Sequence, residues 1–307
     1  MYAQETLKAS KASKVKSLAK PKIKLSPVEP YLYLVPSFII FITFVFYPFI
    51  NTIYVSMYTT DLRGRVKDFV GLQNFIDLFN SPAFYNSITI TFKFVLMIAF
   101  PSVLIAFILA LLANNKLKGN RIYETMFSLP MAIASAPATA FWSMAFNQTN
   151  GIINYVLGQE IQWLTNPDYA LIAVSIVTVW LSIGFNFIFL TVGLRNIPTE
   201  LIESVSIDGA NYLQKFRYIY LPLISPQMFV VVFINVIGSF QAFGQIKLLT
   251  EGGPGDSTNV LVYSIYQEAF KYGRFEVACA QALVLFVIML CVTLLQFKFE
   301  KKVVHYD

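Results

Sequence analysis

Charge is what this chain lacks most. Only 13% of its residues are Asp, Glu, Lys or Arg, against 56% hydrophobic, and the mean hydropathy is +0.61. Soluble domains carry about a quarter charged residues, so most of this chain is matched to lipid rather than water. Cysteine is scarce too. Cys279 and Cys291 sit twelve residues apart in one apolar stretch, about 18 Å along a helix at 1.5 Å per residue, too far to pair. The redox compartment is therefore unreadable. The single histidine, His305, lies in the C-terminal tail, and no Cys/His or carboxylate cluster has the spacing of a metal site. No Ser-His-Asp set can be assembled, and the apolar stretches carry no paired carboxylates, which sets aside a membrane-embedded enzyme. A G-x-x-x-x-G-K-[ST] phosphate loop is also missing, so ATP is not bound and split by this chain.

The formal charge of +6 is unevenly placed. Seven lysines precede residue 25, with Glu5 the only acid among them. That pattern describes a disordered basic arm, residues 1–30, beside an anionic membrane face, and not a nucleic-acid surface. The first apolar stretch comes too late and runs too long for a cleavable signal peptide.

A spanning helix needs about 20 apolar residues. Six stretches qualify: Tyr31 to Tyr54, Ser87 to Ala113, Ile122 to Phe146, Ala170 to Leu194, Leu223 to Phe243 and Val277 to Phe297. Pro48, Pro101, Pro130, Pro137 and Pro226 interrupt them, and such breaks are tolerated in lipid only where other helices or a wet cavity satisfy the freed carbonyls. A bundle around a pathway fits better than an anchor. Basic residues set the orientation. With the N-terminus inside, sixteen Lys and Arg fall on the cytoplasmic side and six outside, Lys93 being intramembrane. Both termini are thus expected inside, with a short tail at 299–307.

Between the fourth and fifth stretches lies P-T-E-L-I-E-S-V-S-I-D-G-A-N-Y-L-Q-K-F-R-Y-I-Y-L-P, Pro198 to Pro222. Thr199 is the expected N-cap of a short helix, with Glu200 in its first turn and Leu201, Ile202 and Val205 on one face. Asp208-Gly209 ends it, because glycine accepts the left-handed turn. Asn211 caps a second helix with Leu213, Phe216 and Tyr220 on one face, and Pro222 opens the next span as an N1 proline. The product is a helix-turn-helix with sticky faces. An amphipathic hairpin lying on the membrane is the plain alternative.

Glu203-Ser204-Val205, then Gly209, Ile219 and Leu221-Pro222 match the E-A-A, G, I-x-L-P spacing of the cytoplasmic coupling loop in permease subunits of binding-protein-dependent ABC importers. Ser204 and Val205 replace the usual alanines. The outer F-V-G-L-Q-N-F-I-D-L-F and the later G-G-P, S-T and Y-x-x-A-F order resemble the carbohydrate branch, most of all the first of the two permease subunits in sugar or glycerol-3-phosphate importers. The resemblance covers Tyr31 to about Glu300. It implies an all-α integral membrane fold of type I, residues 31–298, with six helices and a coupling helix-turn-helix between helices 4 and 5. It also implies an ABC ATPase dimer carrying ATP and Mg, a second homologous permease, an external or periplasmic substrate-binding protein, and a bacterial or archaeal plasma membrane. Within the coupling loop it points to Glu203 as a charge pair or cap at the ATPase surface, Asp208 and Gly209 as the turn, and Leu213 and Phe216 as apolar plugs. A passive channel would not need that loop.

Polar residues inside spans usually face the bundle interior. Asn235, Gly238, Gln241 and Gln245 form one stripe, with Phe240 and Phe243 beside it; Thr178, Ser182 and Asn186 form another, near Trp180, and Gln281 adds an amide. Amides for hydroxyls and aromatic faces for C–H surfaces suit a sugar. The same groups also serve as glue between helices in lipid. Lys93 lies about two turns inside its span, roughly 9 Å deep at 1.5 Å per residue; it either snorkels outward or gives the pathway a cation for an acidic substrate.

Overall fold

The computed structural model describes residues 29–114 and 119–303. The basic arm up to residue 28 and the last four residues lie outside them. The chain divides into two units, 1–51 and 52–307.

In the first unit, helix α1 (Glu29–Phe41) passes through a π-turn at Ile42–Phe46 into α2 (Tyr47–Ser56), whose last residues belong to the second unit. Side chains from Tyr31 to Asn51 are all exposed. Aromatic and aliphatic groups on every side of a helix fit a lipid contact. Together these elements make a helix of membrane length, Tyr31–Ser56.

The second unit opens with a feature outside the all-α expectation. Strands β1 (Tyr58–Thr60) and β2 (Val66–Phe69) pair antiparallel, with Tyr58 opposite Phe69 and Thr60 opposite Val66. Asp61 closes their turn by accepting from the Arg63 and Arg65 amides at 2.9 and 2.8 Å. Short α3 (Gln73–Phe79) leads into α4 (Pro82–Asn114), which carries Pro101 without breaking.

The third expected span is not one helix. It divides into α5 (Asn120–Ser128), a 3-10 turn (Leu129–Ala132) and α6 (Ser135–Ala145). Ile133 and Ala134 between them are extended, because Pro130 and Pro137 each withhold an N–H that a continuous helix would use. Helix α8 (Pro167–Arg195), after the short α7 (Ile152–Leu157), lies directly against the break. The approach is close enough that a Cβ on Gly184 would come within 2.9 Å of Met131 Cβ, Met131 N and the Ser128 carbonyl.

Helices α9 (Thr199–Ile207) and α10 (Tyr212–Lys215) form the helix-turn-helix, succeeded by a π-turn (Phe216–Tyr220) and one last turn (Leu221–Leu223). The chain then bends by 65° into α11 (Ser225–Phe240). Pro222 therefore does not start the long helix, which Pro226 does at its first turn. Helices α12 (Gly244–Leu249) and α13 (Leu261–Tyr266) and a π-turn (Gln267–Lys271) connect to α14 (Phe275–Val303), which outruns its expected end at Phe297.

Among the described residues, four helices are long and apolar enough to cross a membrane, or five if the bent pair around Ile224 is one broken span. The core sits where α4 and α8 run side by side. At one end Ala106, Phe107 and Ala110 pack on Leu190, Leu194, Ile219 and Ile224; at the other Ile90, Phe94 and Ile98 meet Val174, Ile246 and Val260. Thr91 ties that second end to α13 by accepting the Leu261 amide at 2.8 Å, which satisfies one of the donors a helix start leaves free.

Candidate functional site

Two regions hold the residues that the sequence singles out. The first is a cavity of about 430 Å³ at the middle of α8, closed by the far end of α11 and the start of α12. Thr178, Ser182, Asn186, Asn235, Gln241, Phe243 and Gln245 all line it. Both polar stripes therefore meet in one place. Their chemistry is divided, however. Asn186 and Asn235, 1% and 6% exposed, exchange amide hydrogen bonds at 3.1 and 2.7 Å, and the Ser102 hydroxyl donates to Asn235 Oδ1 at 3.0 Å. This pair joins α8, α11 and α4, as polar groups do in lipid. Thr178 and Ser182 donate to the Val174 and Thr178 carbonyls at 2.8 and 2.9 Å, so only their lone pairs remain for the cavity.

Four candidates lie elsewhere. Phe240 is buried, edge-to-face on Phe92 at 5.6 Å. Trp180 packs on Trp142 at 5.7 Å. Gln281 lines a separate pocket of about 320 Å³ between α3, α4, α14 and the 256–274 segment. Lys93 is exposed on α4 between Phe92 and Leu96 and does not line the cavity. Ser135 and Phe185 line the cavity although the sequence pattern does not single them out. Ser135 reaches it because the helix break before it redirects the chain. Phe185 could have been found from Ser182, one turn earlier on the same face.

The second region is the helix-turn-helix. Gly209 holds the turn at φ +82°, a conformation costly for a residue with a Cβ. Asn211 and Gln214 form a reciprocal capping box, 2.9 and 2.8 Å. Thr199 is not the cap of α9: Pro198 holds that position and no side chain caps it. The faces also differ from a simple helical reading. Ile202, Val205, Phe216 and Tyr220 pack on the core, with Ile219 buried in it and Phe216 5.8 Å from Phe107. Leu213, expected on the face of Phe216, is exposed instead, while the π-turn from Phe216 rotates the residues that follow it. Leu201 likewise parts from Ile202. Left outside are Ile207 at 86% exposure, Leu213 at 72% and Tyr218 at 71%, with Glu203, Ser204 and Asp208 among them. Among the described residues Glu203 has no hydrogen-bond or ion-pair partner. Leu221 and Pro222 are half-buried behind this surface.

Residues 90–305, which contain both regions, match the family model of the binding-protein-dependent transport system inner membrane component. The chain belongs to this family. It is a transporter permease with several membrane-length helices, in a family of transport components rather than enzymes. Among its relatives are the sn-glycerol-3-phosphate transport system permease protein UgpA of Agrobacterium fabrum, 35% identical over 91% of this chain and 97% of the relative. The protein of the same name from Shigella flexneri is 34% identical over 91% and 96%. A chain from a bacterial ABC transporter involved in the import of the acidic polysaccharide alginate superposes with a TM-score of 0.78, covering 90% of this permease and 96% of that chain at 23% identity. That likeness carries the fold.

Proposed function

We propose that this permease forms half of the translocation pathway of an ATP-driven importer for a sugar, oligosaccharide or related polyol, in a bacterial or archaeal plasma membrane. The broken 120–145 segment counts as the third of six spans, with both termini inside. The mid-bundle cavity is the half-pathway, completed by a second homologous permease. The helix-turn-helix seats on a separate cytoplasmic ATPase that carries ATP and Mg, with Glu203, Ile207 and Leu213 on the contact surface. An external binding protein delivers substrate at the opposite end. Closure of the ATPase pair moves the helix-turn-helix, and through Phe216 and Ile219 it moves α4 and α8, which alternates access to the cavity.

The observation that carries this reading is a surface of large apolar side chains and an unpartnered carboxylate, held rigidly by a capping box and a left-handed glycine, at the end of the bundle remote from Thr91 and α13. Exposed apolar groups on a rigid support mark a protein contact. The test is purification of the tagged permease from native membranes. An ATPase and a second permease are expected to come with it. Recovery of the chain alone, or with enzymes of lipid metabolism, would overturn the importer.

A further inference from the structure

The named relatives are associated with acidic compounds, glycerol-3-phosphate and alginate. The cavity of this permease is built differently from a site for an anion. Among the described residues, no Asp, Glu, Lys, Arg or His lines it. Its hydroxyls at Thr178 and Ser182 have given their hydrogens to their own helix, and the amides of Asn186 and Asn235 are spent largely on each other. Ser135, Gln241 and Gln245 remain uncommitted, so the wall offers neutral hydroxyl and amide groups, donors and acceptors both, and no charged group.

Among the described residues, the cation set against a lining residue is Lys247. It stands behind the wall, donating to the Tyr266 hydroxyl at 2.8 Å and lying 4.2 and 5.6 Å from the Tyr266 and Phe243 ring centres. Lys93 is exposed on α4 and outside the cavity. A carboxylate or phosphate stripped of water is held best against a cation, and among the described residues no cationic side chain lines this cavity. A sugar hydroxyl both donates and accepts, which neutral amides and hydroxyls match, and the Phe185 and Phe243 rings offer apolar surface for sugar C–H faces.

We infer that this half of the pathway is made for a neutral, polyhydroxylated substrate and against a phosphate or carboxylate. The inference rests on the importer reading. Permease-deleted cells, restored with wild type or with Gln241→Lys or Gln241→Glu, are given labelled sn-glycerol-3-phosphate and a neutral panel of glycerol, sorbitol, maltose, trehalose and raffinose. Permease-dependent uptake is expected for a neutral probe and not for glycerol-3-phosphate. Both variants should cut that uptake by at least about tenfold and to similar extents, since either charge is unpaired there. Permease-dependent uptake of glycerol-3-phosphate overturns the inference. So does a neutral panel with no transported member, or a lysine variant that keeps uptake while the glutamate variant loses it. Each of these leaves the importer standing if an ATPase still co-purifies; without one, both readings fall.

Discussion

The helix-turn-helix at 199–223 and the connection at 250–276 are both loops between long apolar helices, and they are held together in different ways. The connection is cross-tied by its own side chains, although Phe270 stays 72% exposed and Ser257 Oγ and Asn259 Oδ1 are buried without a hydrogen-bond partner. Thr258 is fully buried, donates to the Gly253 carbonyl at 2.8 Å and meets the Thr250 hydroxyl at 2.7 Å, while Arg274 holds Glu268 at 2.7 to 2.8 Å. A second tie, from the Thr60 hydroxyl to Glu276, brings the β-hairpin to α14. The helix-turn-helix satisfies its backbone and its inner face but leaves Ile207, Leu213 and Tyr218 open. The difference lies in how each loop is held: the connection is bound to itself and to α14 by side-chain bonds, whereas the helix-turn-helix exposes three large apolar groups beside an unpartnered carboxylate, as the proposed ATPase contact requires.

Four substitutions and one titration sharpen or break that contrast. Phe216→Ala empties a side chain packed on Phe107 and should destabilise the purified permease by about 2–4 kcal/mol in thermal unfolding. A neutral result would mean that Phe216 is not part of the core. Thr258→Val removes both hydroxyl bonds inside the connection, with an expected cost of about 1–3 kcal/mol by the same measurement. No change in melting would show that this loop is held by other means. Glu203→Lys reverses an unpartnered surface charge. Insertion and melting should be unaffected, while substrate-stimulated ATPase activity of the assembled importer falls about tenfold; full stimulation would remove Glu203 from the contact.

Leu213→Ala should shift stability by less than about 0.5 kcal/mol, since the side chain is already in solvent, yet weaken coupling measurably. Equal losses for Leu213→Ala and Phe216→Ala in melting would erase the distinction between an inner and an outer face. The smallest effect is on pH. Burial raises the Glu268 carboxyl above its ordinary value despite the opposing charge of Arg274. The folded state thus holds that proton more firmly than the unfolded chain. Its contribution to stability is complete below the ordinary glutamate range and is lost as pH rises from there through the raised value. Melting measured across that window should lose this slope in Glu268→Gln.

What the sequence determined alone was the set of local and compositional features. Low charge and long apolar stretches place the chain in lipid, because no soluble fold could cover that much apolar surface. Gly209 and the Asn211 cap were legible because turn and cap geometry depend on residues within a few positions of each other. The two polar stripes were legible because helical periodicity is local as well. Only the tertiary structure decided which of those groups share a cavity. Asn186 and Asn235 are 49 residues apart, and nothing local shows that they bond to each other. The division of 120–145 at Ile133-Ala134, the choice of Phe216 for the core and Leu213 for the outside, and the placement of Lys93 outside the cavity all depend on helices packing against one another. That packing chooses among backbone conformations nearly equal in energy for the isolated segment.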